Sequence, residues 1–232
     1  IDPIKISNGY EFYDPQFIPK VFGLYNIGAN CWFNSLLQAL VTCTSLTKFI
    51  LMNIDVLREK NGTVKEYINF LLAIFGSEDV NISEFSVRIL KAFDIDLKKK
   101  SIKLDVFSQE SVANGIHIFI DMFECKEIYT IIDNKYEYFI ECLDCQNIKS
   151  TSEQKNPILN VHWDDSIRNQ IDFMKFLTCR IVQSEDYKCE QCGSNRRKKV
   201  KEVLKMLREI IIIYLIRIPA VSPVYFPKEL SF

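Results

Sequence analysis

Two pairs of cysteines constrain this chain more than any other feature. Cys142-Leu-Asp-Cys145 and Cys189-Glu-Gln-Cys192 each place two sulfurs three positions apart, and 43 residues separate the pairs. Strand-like residues precede each pair, Phe139-Ile140 before the first and Tyr187-Lys188 before the second, and Gly193 follows the second. A turn at such a glycine lets backbone amides approach the sulfurs. Two knuckles of this kind brought together present four thiolates in a tetrahedron, the preferred structural site of zinc. Four cysteine ligands close the coordination shell and leave no position for water or substrate. One Zn2+ per chain is therefore expected, with a role in stability and not in chemistry. A thioredoxin-type redox site needs only one pair, at a strand-to-helix junction, and neither pair has that setting.

The remaining cysteines agree with this. Eight in 232 residues, at 31, 43, 125, 142, 145, 179, 189 and 192, are too sparse for a disulfide scaffold. Metal-binding pairs point instead to a reducing compartment, the cytoplasm or the nucleus. The formal net charge is −1, so no global field selects nucleic acid or a membrane surface. The longest apolar run, 210–216, falls far short of the ~18 residues that suggest a membrane span. No basic-then-apolar leader opens the chain. It begins without Met and stops at Leu230-Ser231-Phe232 in mid-element, as a piece of a longer product would.

Apolar periodicity divides the chain. Residues 1–20 read as an extended lead-in. Trp32, Leu36, Leu40 and Cys43 predict a helix over 31–43, and Val64 to Phe75 predict another. Ser83 is placed to cap a helix running to about Phe93, and Lys98, Lys99 and Lys100 to lie in a charged loop. Residues 109–123 form a further helix. From 128 the period changes. Residues 127–132 and 135–141 alternate as strands, with Asp133-Asn134 as the turn of a hairpin. Residues 158–163 make another strand, 166–179 a helix, and 200–218 more strand, with 210–216 buried on both faces. Helices first and strands after them give an α+β class.

The stretch Gly23-Leu-Tyr-Asn-Ile-Gly-Ala-Asn-Cys-Trp-Phe-Asn-Ser-Leu-Leu-Gln38 raises a sharper question. Cys31 sits where a helix should begin, and amides at a helix start favour thiolate over thiol. Asn26, on the same loop, can reach a developing oxyanion with its side-chain amide. Asn34 and Ser35 can satisfy local polar groups within the helix. Buried, inert cysteines are common, so these residues alone leave Cys31 open between a core thiol and a nucleophile.

The same stretch resembles the cysteine box of the ubiquitin-specific proteases, with Asn30 where Thr is usual and Trp32 where Tyr is usual. Further matches follow in the family's order. Ser108-Gln-Glu-Ser-Val-Ala113 resembles its second signature, although only Gln109 is identical and Ala113 takes a Glu position. The two cysteine pairs resemble the zinc knuckles of its fingers. Residues 202–218 and Val224-Tyr-Phe-Pro-Lys-Glu-Leu230 resemble segments beyond them. The resemblance implies a papain-like cysteine protease fold, incomplete at the C-terminus, over 21–232. Its helical thumb would span about 21–127, and its β palm and zinc-ribbon fingers about 128–232. It implies Cys31 as nucleophile, Asn26 as oxyanion-hole donor, Cys142, Cys145, Cys189 and Cys192 as zinc ligands, and ubiquitin or ubiquitinated proteins as partner. Hydrolysis after the ubiquitin C-terminal glycine would take place in a cleft between subdomains.

Such a protease needs an imidazole. His117, in the helix 109–123, and His162, beside Trp163, both read as structural. The family's histidine box follows the Val224–Leu230 element, so the general base is expected outside this chain. Little turnover is then expected of the fragment alone. Two alternatives stand beside the enzyme: a catalytically dead ubiquitin-binding scaffold, and a zinc-ribbon module binding nucleic acid through Arg196, Arg197, Lys198, Lys199, Lys201 and Lys205. Near-zero net charge counts against the second.

Overall fold

A computed structural model describes residues 4–5, 11–12, 22–76, 81–151, 153–162, 179–184, 188–195 and 198–216, and every structural statement concerns these. The chain divides into two compact units, Ile1–Ile131 and Ile132–Phe232.

The first unit opens with two short strands, β1 (Ile4–Lys5) and β2 (Glu11–Phe12), paired antiparallel. Of the expected lead-in, 1–20, these two strands alone lie within the described residues. Helices follow: α1 (Cys31–Thr42), α2 (Thr44–Met52), α3 (Ile54–Leu57), α4 (Gly62–Phe75), α5 (Phe85–Lys99), α6 (Val112–Asp121) and α7 (Lys126–Ile132). α1 buries Phe33, Leu36, Leu37 and Leu40 on one face, and α4 buries Val64, Tyr67, Ile68, Leu71 and Ile74. These faces meet in an aromatic cluster. Phe33 stacks on Phe93 of α5 at 5.6 Å between ring centroids, and Phe119 of α6 meets Phe93 edge-on at 5.5 Å and Tyr67 at 5.3 Å. Each such side chain contributes ~1.5–3 kcal/mol by leaving water. Phe33 thus packs the first turn of α1 against α5 and α6, and Phe119 links it to Tyr67 of α4. Asn61 caps α4 by accepting from Val64 N at 3.0 Å. Asp96 adds a second acceptor there, taking Thr63 N and Thr63 Oγ1 at 2.8 Å each. Among the described residues no single helix is long and apolar enough to cross a membrane.

Helix ends differ from expectation in instructive ways. The cap before α5 is Asn81, which accepts from Ser83 N at 3.2 Å, and a 3-10 turn over Ile82–Glu84 precedes the helix. α5 then runs past Phe93 to Lys99, so Lys98 and Lys99 form its last turn and not a loop. They pair with Asp94 at 2.6 Å and Asp96 at 3.2 Å, and cations are favoured at a helix C-terminus. α6 starts at Val112 because Ser111 accepts from Ala113 N. The largest correction is α7. Residues 127–132 were expected to be a strand, yet they form a helix whose Ile128 and Ile132, four apart, are both buried. There is accordingly no hairpin at Asp133-Asn134.

The second unit holds β3 (Asn134–Cys142), β4 (Ile148–Ser150), β5 (Gln154–Asn156), β6 (Ile158–His162), β7 (Cys179–Ser184), β8 (Lys198–Met206) and β9 (Ile212–Ile216). One antiparallel sheet has the order β4-β3-β8-β7, with β5 also on β3. β3 and β8 pair from Lys135↔Met206 to Cys142↔Lys198. β6 and β9 pair parallel in a separate two-stranded sheet. Ile210–Ile213 are half-buried and Tyr214 is exposed, so this run is not buried on both faces; β6 is its one strand partner among the described residues. Cys179 begins a strand instead of ending a helix, and residues 163–178, where that helix was expected, lie outside the described residues. So do Trp163, Arg196, Arg197 and the Val224–Leu230 element.

Candidate functional site

Cys31 is the first residue of α1, and its side chain is exposed. Phe33 N and Asn34 N both donate to Asn30 O, at 3.0 and 3.1 Å, so the helix begins abruptly at the cysteine. Ser35 Oγ donates to Cys31 O at 2.9 Å. The other described cysteines of this unit, Cys43 and Cys125, are half-buried. Burial pushes the Cys43 thiol up, and burial followed by a hydrogen bond to Glu127 pushes Cys125 up, so both are disfavoured as thiolates.

The loop entering α1 is fixed from several sides. Tyr25 O accepts from Asn34 Nδ2 at 3.0 Å and from Ser86 Oγ at 3.3 Å. Two residues on, Ile27 N donates to Asn30 Oδ1 at 2.7 Å, across a turn in which Gly28 takes φ +69°. Between these anchored peptides stands Asn26, exposed and without a hydrogen-bond partner among the described residues. Its amide is free to donate. Asn30 is completely buried, and its Nδ2 has no partner among the described residues. An unsatisfied buried donor costs about 1–3 kcal/mol. Sequence reasoning noted Asn30 only as a replacement for Thr; no local pattern reveals that its oxygen reaches back three residues.

The segment carrying Gln109 lies against the same helix. Trp32 Nε1 donates to Ser108 O at 3.1 Å, and buried Val106 anchors the segment. Gln109 itself is exposed and Ala113 half-buried. Neither histidine meets Cys31 in a hydrogen bond among the described residues. His117 is exposed on α6, and the side chain of His162, at the end of β6, lies outside the described residues.

In the second unit the four predicted ligands converge. The sulfurs of Cys142, Cys145, Cys189 and Cys192 all lie within 4.8 Å of one another. Cys142 Sγ is 3.7 Å from Cys192 Sγ, and Cys145 Sγ is 3.7 Å from Cys189 Sγ. A tetrahedron with metal–sulfur bonds of ~2.3 Å has edges of about 3.8 Å, so the spacing fits a zinc ion. The two knuckles repeat each other bond for bond. Gln146 N donates to Cys142 O and Gly193 N to Cys189 O, both at 2.8 Å; Cys142 N donates to Asn147 O and Cys189 N to Ser194 O, both at 2.9 Å. Each turns through a positive φ, 59° at Gln146 and 70° at Gly193. Amides of Cys145 and Asp144 lower the Cys142 thiol to about 6, and the Cys192 amide lowers Cys189. The Asn147 amide acts likewise on Cys145, but burial and hydrogen bonds from the neighbouring sulfurs outweigh it and push that thiol up to about 12. Four thiolates cannot coexist here without a cation, which is what a divalent metal supplies.

Two of the lysines of β8 face carboxylates on β3. Lys205 pairs with Glu137 at 2.6 Å and Lys199 lies 3.8 Å from Glu141.

No protein-family model matches the chain. Ubiquitin carboxyl-terminal hydrolase 7 of Caenorhabditis elegans is 28% identical over 195 residues, which covers 76% of this chain and 16% of that protein. Two solved structures share the fold: the SAGA DUB module Ubp8/Sgf11/Sus1/Sgf73 bound to monoubiquitin, and the same module bound to ubiquitin aldehyde. Both superpose with a TM-score of 0.63, at 16% and 17% identity, over 85% of this chain and 49% of theirs. The chain thus spans about a sixth of the curated relative and half of each solved chain.

Proposed function

We propose that this chain, a member of the ubiquitin-specific protease family, carries the nucleophile and the metal-tipped fingers of a thiol-dependent deubiquitinase that cuts after the ubiquitin C-terminal glycine. One observation carries the reading: Cys31 is exposed at the first position of a 12-residue helix, directly after a loop that offers the unpartnered amide of Asn26. The solved neighbours hold ubiquitin, which supports the choice of partner.

In this reading Cys31 Sγ adds to the carbonyl carbon of the terminal glycine, and the C=O electron pair moves onto oxygen. Asn26 Nδ2 donates to that oxyanion, an interaction worth ~100- to 1,000-fold in turnover at comparable sites. Collapse expels the amine, which takes a proton, and leaves an acyl thioester. Water then releases the carboxylate and restores the thiol. The proton carrier is an imidazole from outside these 232 residues, so the fragment alone turns over little or nothing. Cys142, Cys145, Cys189 and Cys192 hold one zinc ion that secures the fingers and takes no part in the steps at Cys31. A reducing cytoplasm or nucleus keeps all five thiols available.

The test uses the full-length protein and a ubiquitin bearing a C-terminal electrophile. Labelling that disappears in Cys31→Ser supports the enzyme. Tight ubiquitin binding without labelling would replace it with the inert scaffold, which Ala113 in a usual Glu position favours. Salt-sensitive oligonucleotide binding in place of ubiquitin binding would replace both.

A further inference from the structure

We infer that Asn30 is a positioning residue that acts through Asn26, an inference that rests on the reading of Asn26 as oxyanion donor. An exposed asparagine on a loop is a poor catalyst unless its backbone is held, because donors must be preorganised before charge develops. Here the two peptides flanking Asn26 are held by side chains of the cysteine's own helix and its cap. Ahead of it, Asn34 Nδ2 bonds Tyr25 O. Behind it, Asn30 Oδ1 takes Ile27 N at 2.7 Å. Asn30 O also accepts the first two bonds of the helix, from Phe33 N and Asn34 N. One residue therefore ties the loop that carries the amide to the turn that carries the sulfur, and fixes their separation.

The two ends of this side chain are unequal. Oδ1 is engaged and Nδ2 has no partner among the described residues, although the residue is completely buried. Packing alone would not call for an amide here. The acceptor oxygen is the working part, and a hydroxyl side chain that keeps an acceptor should serve in its place.

The experiment is a double-mutant cycle in the full-length protein, read as kcat and KM on a fluorogenic ubiquitin C-terminal amide. Asn26→Ala should lower kcat by about 100-fold. Asn30→Ala should lower kcat at least about 10-fold with KM within about twofold, and Asn30→Thr should recover most of the loss. On the Asn26→Ala background, Asn30→Ala should change kcat by less than about twofold, since the group it positions is gone. Equal losses on both backgrounds, as partial unfolding would give, overturn the inference, and so does a loss confined to KM. Wild-type turnover that survives Asn26→Ala unchanged, or no wild-type turnover at all, removes the underlying reading and this one with it.

Discussion

The indole of Trp32 lies over Gly115 so closely that a methyl group at 115 would come within 2.2 Å of Cζ3 and 3.0 Å of Cε3. Trp32 follows Cys31 directly, so this contact fixes the helix turn that bears the sulfur. Alanine at 115 would gain ~1 kcal/mol in helix propensity but lose more to overpacking, which costs ~1–3 kcal/mol and is severe at such a distance. Gly115→Ala is expected to lower the melting temperature and slow probe labelling of Cys31. Adding Trp32→Tyr, a smaller ring, should restore both. Melting curves of the two single variants and the double variant check this; strict additivity would exclude a direct clash.

The sulfur cluster should hold close to one zinc per chain by elemental analysis, and Cys142→Ser or Cys189→Ser should abolish it. Structural zinc in small modules contributes ~10–16 kcal/mol of apparent binding energy, so chelation should unfold the second unit. Binding needs four thiolates. At neutral pH, with Cys142 lowered to about 6 and Cys145 raised to about 12, zinc must displace at least the Cys145 proton. Affinity should therefore rise with pH, and fall more steeply once pH drops below about 6. Competition with a chromogenic chelator across that range measures the slope, and a flat profile would exclude thiolate ligation.

Asp96 offers a second pH dependence, in the first unit. Burial alone would raise its pKa, but two bonds from Thr63 and the Lys99 ammonium prevail and hold it below the usual carboxylate range. A depressed native pKa adds stability that is fully present above the unfolded value, ~3.9, and is lost as pH falls toward the native one. Asp96→Asn is expected to cost about 1.5–3 kcal/mol at pH 7, the range for hydrogen bonds to charged groups. The difference from wild type should shrink in acid below about pH 4. Urea denaturation at several pH values tests the trend; a gap that widens in acid would reverse the assignment.

The duplicated knuckles make a matched pair of substitutions informative. Gly193 and Gln146 occupy the same left-handed position, where a side chain costs ~1–2 kcal/mol. Gly193→Ala should destabilise by about 1 kcal/mol, whereas Gln146→Gly should be neutral or stabilising by up to about 1 kcal/mol. Denaturant midpoints of the zinc-loaded protein decide between them.

Legibility from sequence followed the range of the interaction. The cysteine spacing was readable because zinc geometry demands it, and α1 and α4 because their buried faces repeat at the helical period over 12 and 14 residues. α7 was not. Over seven residues, Ile128 and Ile132 satisfy either period, whereas Ile131 beside Ile132 fits only the helical one, and so short a segment reads equally as an alternating strand. The capping of the turn before α5 by Asn81 instead of Ser83 rested on a choice between two polar residues two positions apart. The β3–β8 register and the bond from Trp32 to Ser108, 76 residues away, depend on contacts that no local window contains. The same holds in the loop before α1: the place of Cys31 at a helix start could be read from its neighbours in sequence, but the bond from Ile27 N to Asn30 Oδ1 could not.

The paired strands that end at Cys142 and begin at Lys198 lie side by side, with a knuckle at the tip of each. A bound ion there joins points of the chain about fifty residues apart and restricts the unfolded polymer as a covalent bridge would. Such a clasp resists thiol reductants, which sever disulfides, and yields to chelators, which leave disulfides whole. Oxidants attack it from a third direction, since sulfurs already in contact need only lose electrons to bond with each other and expel the metal.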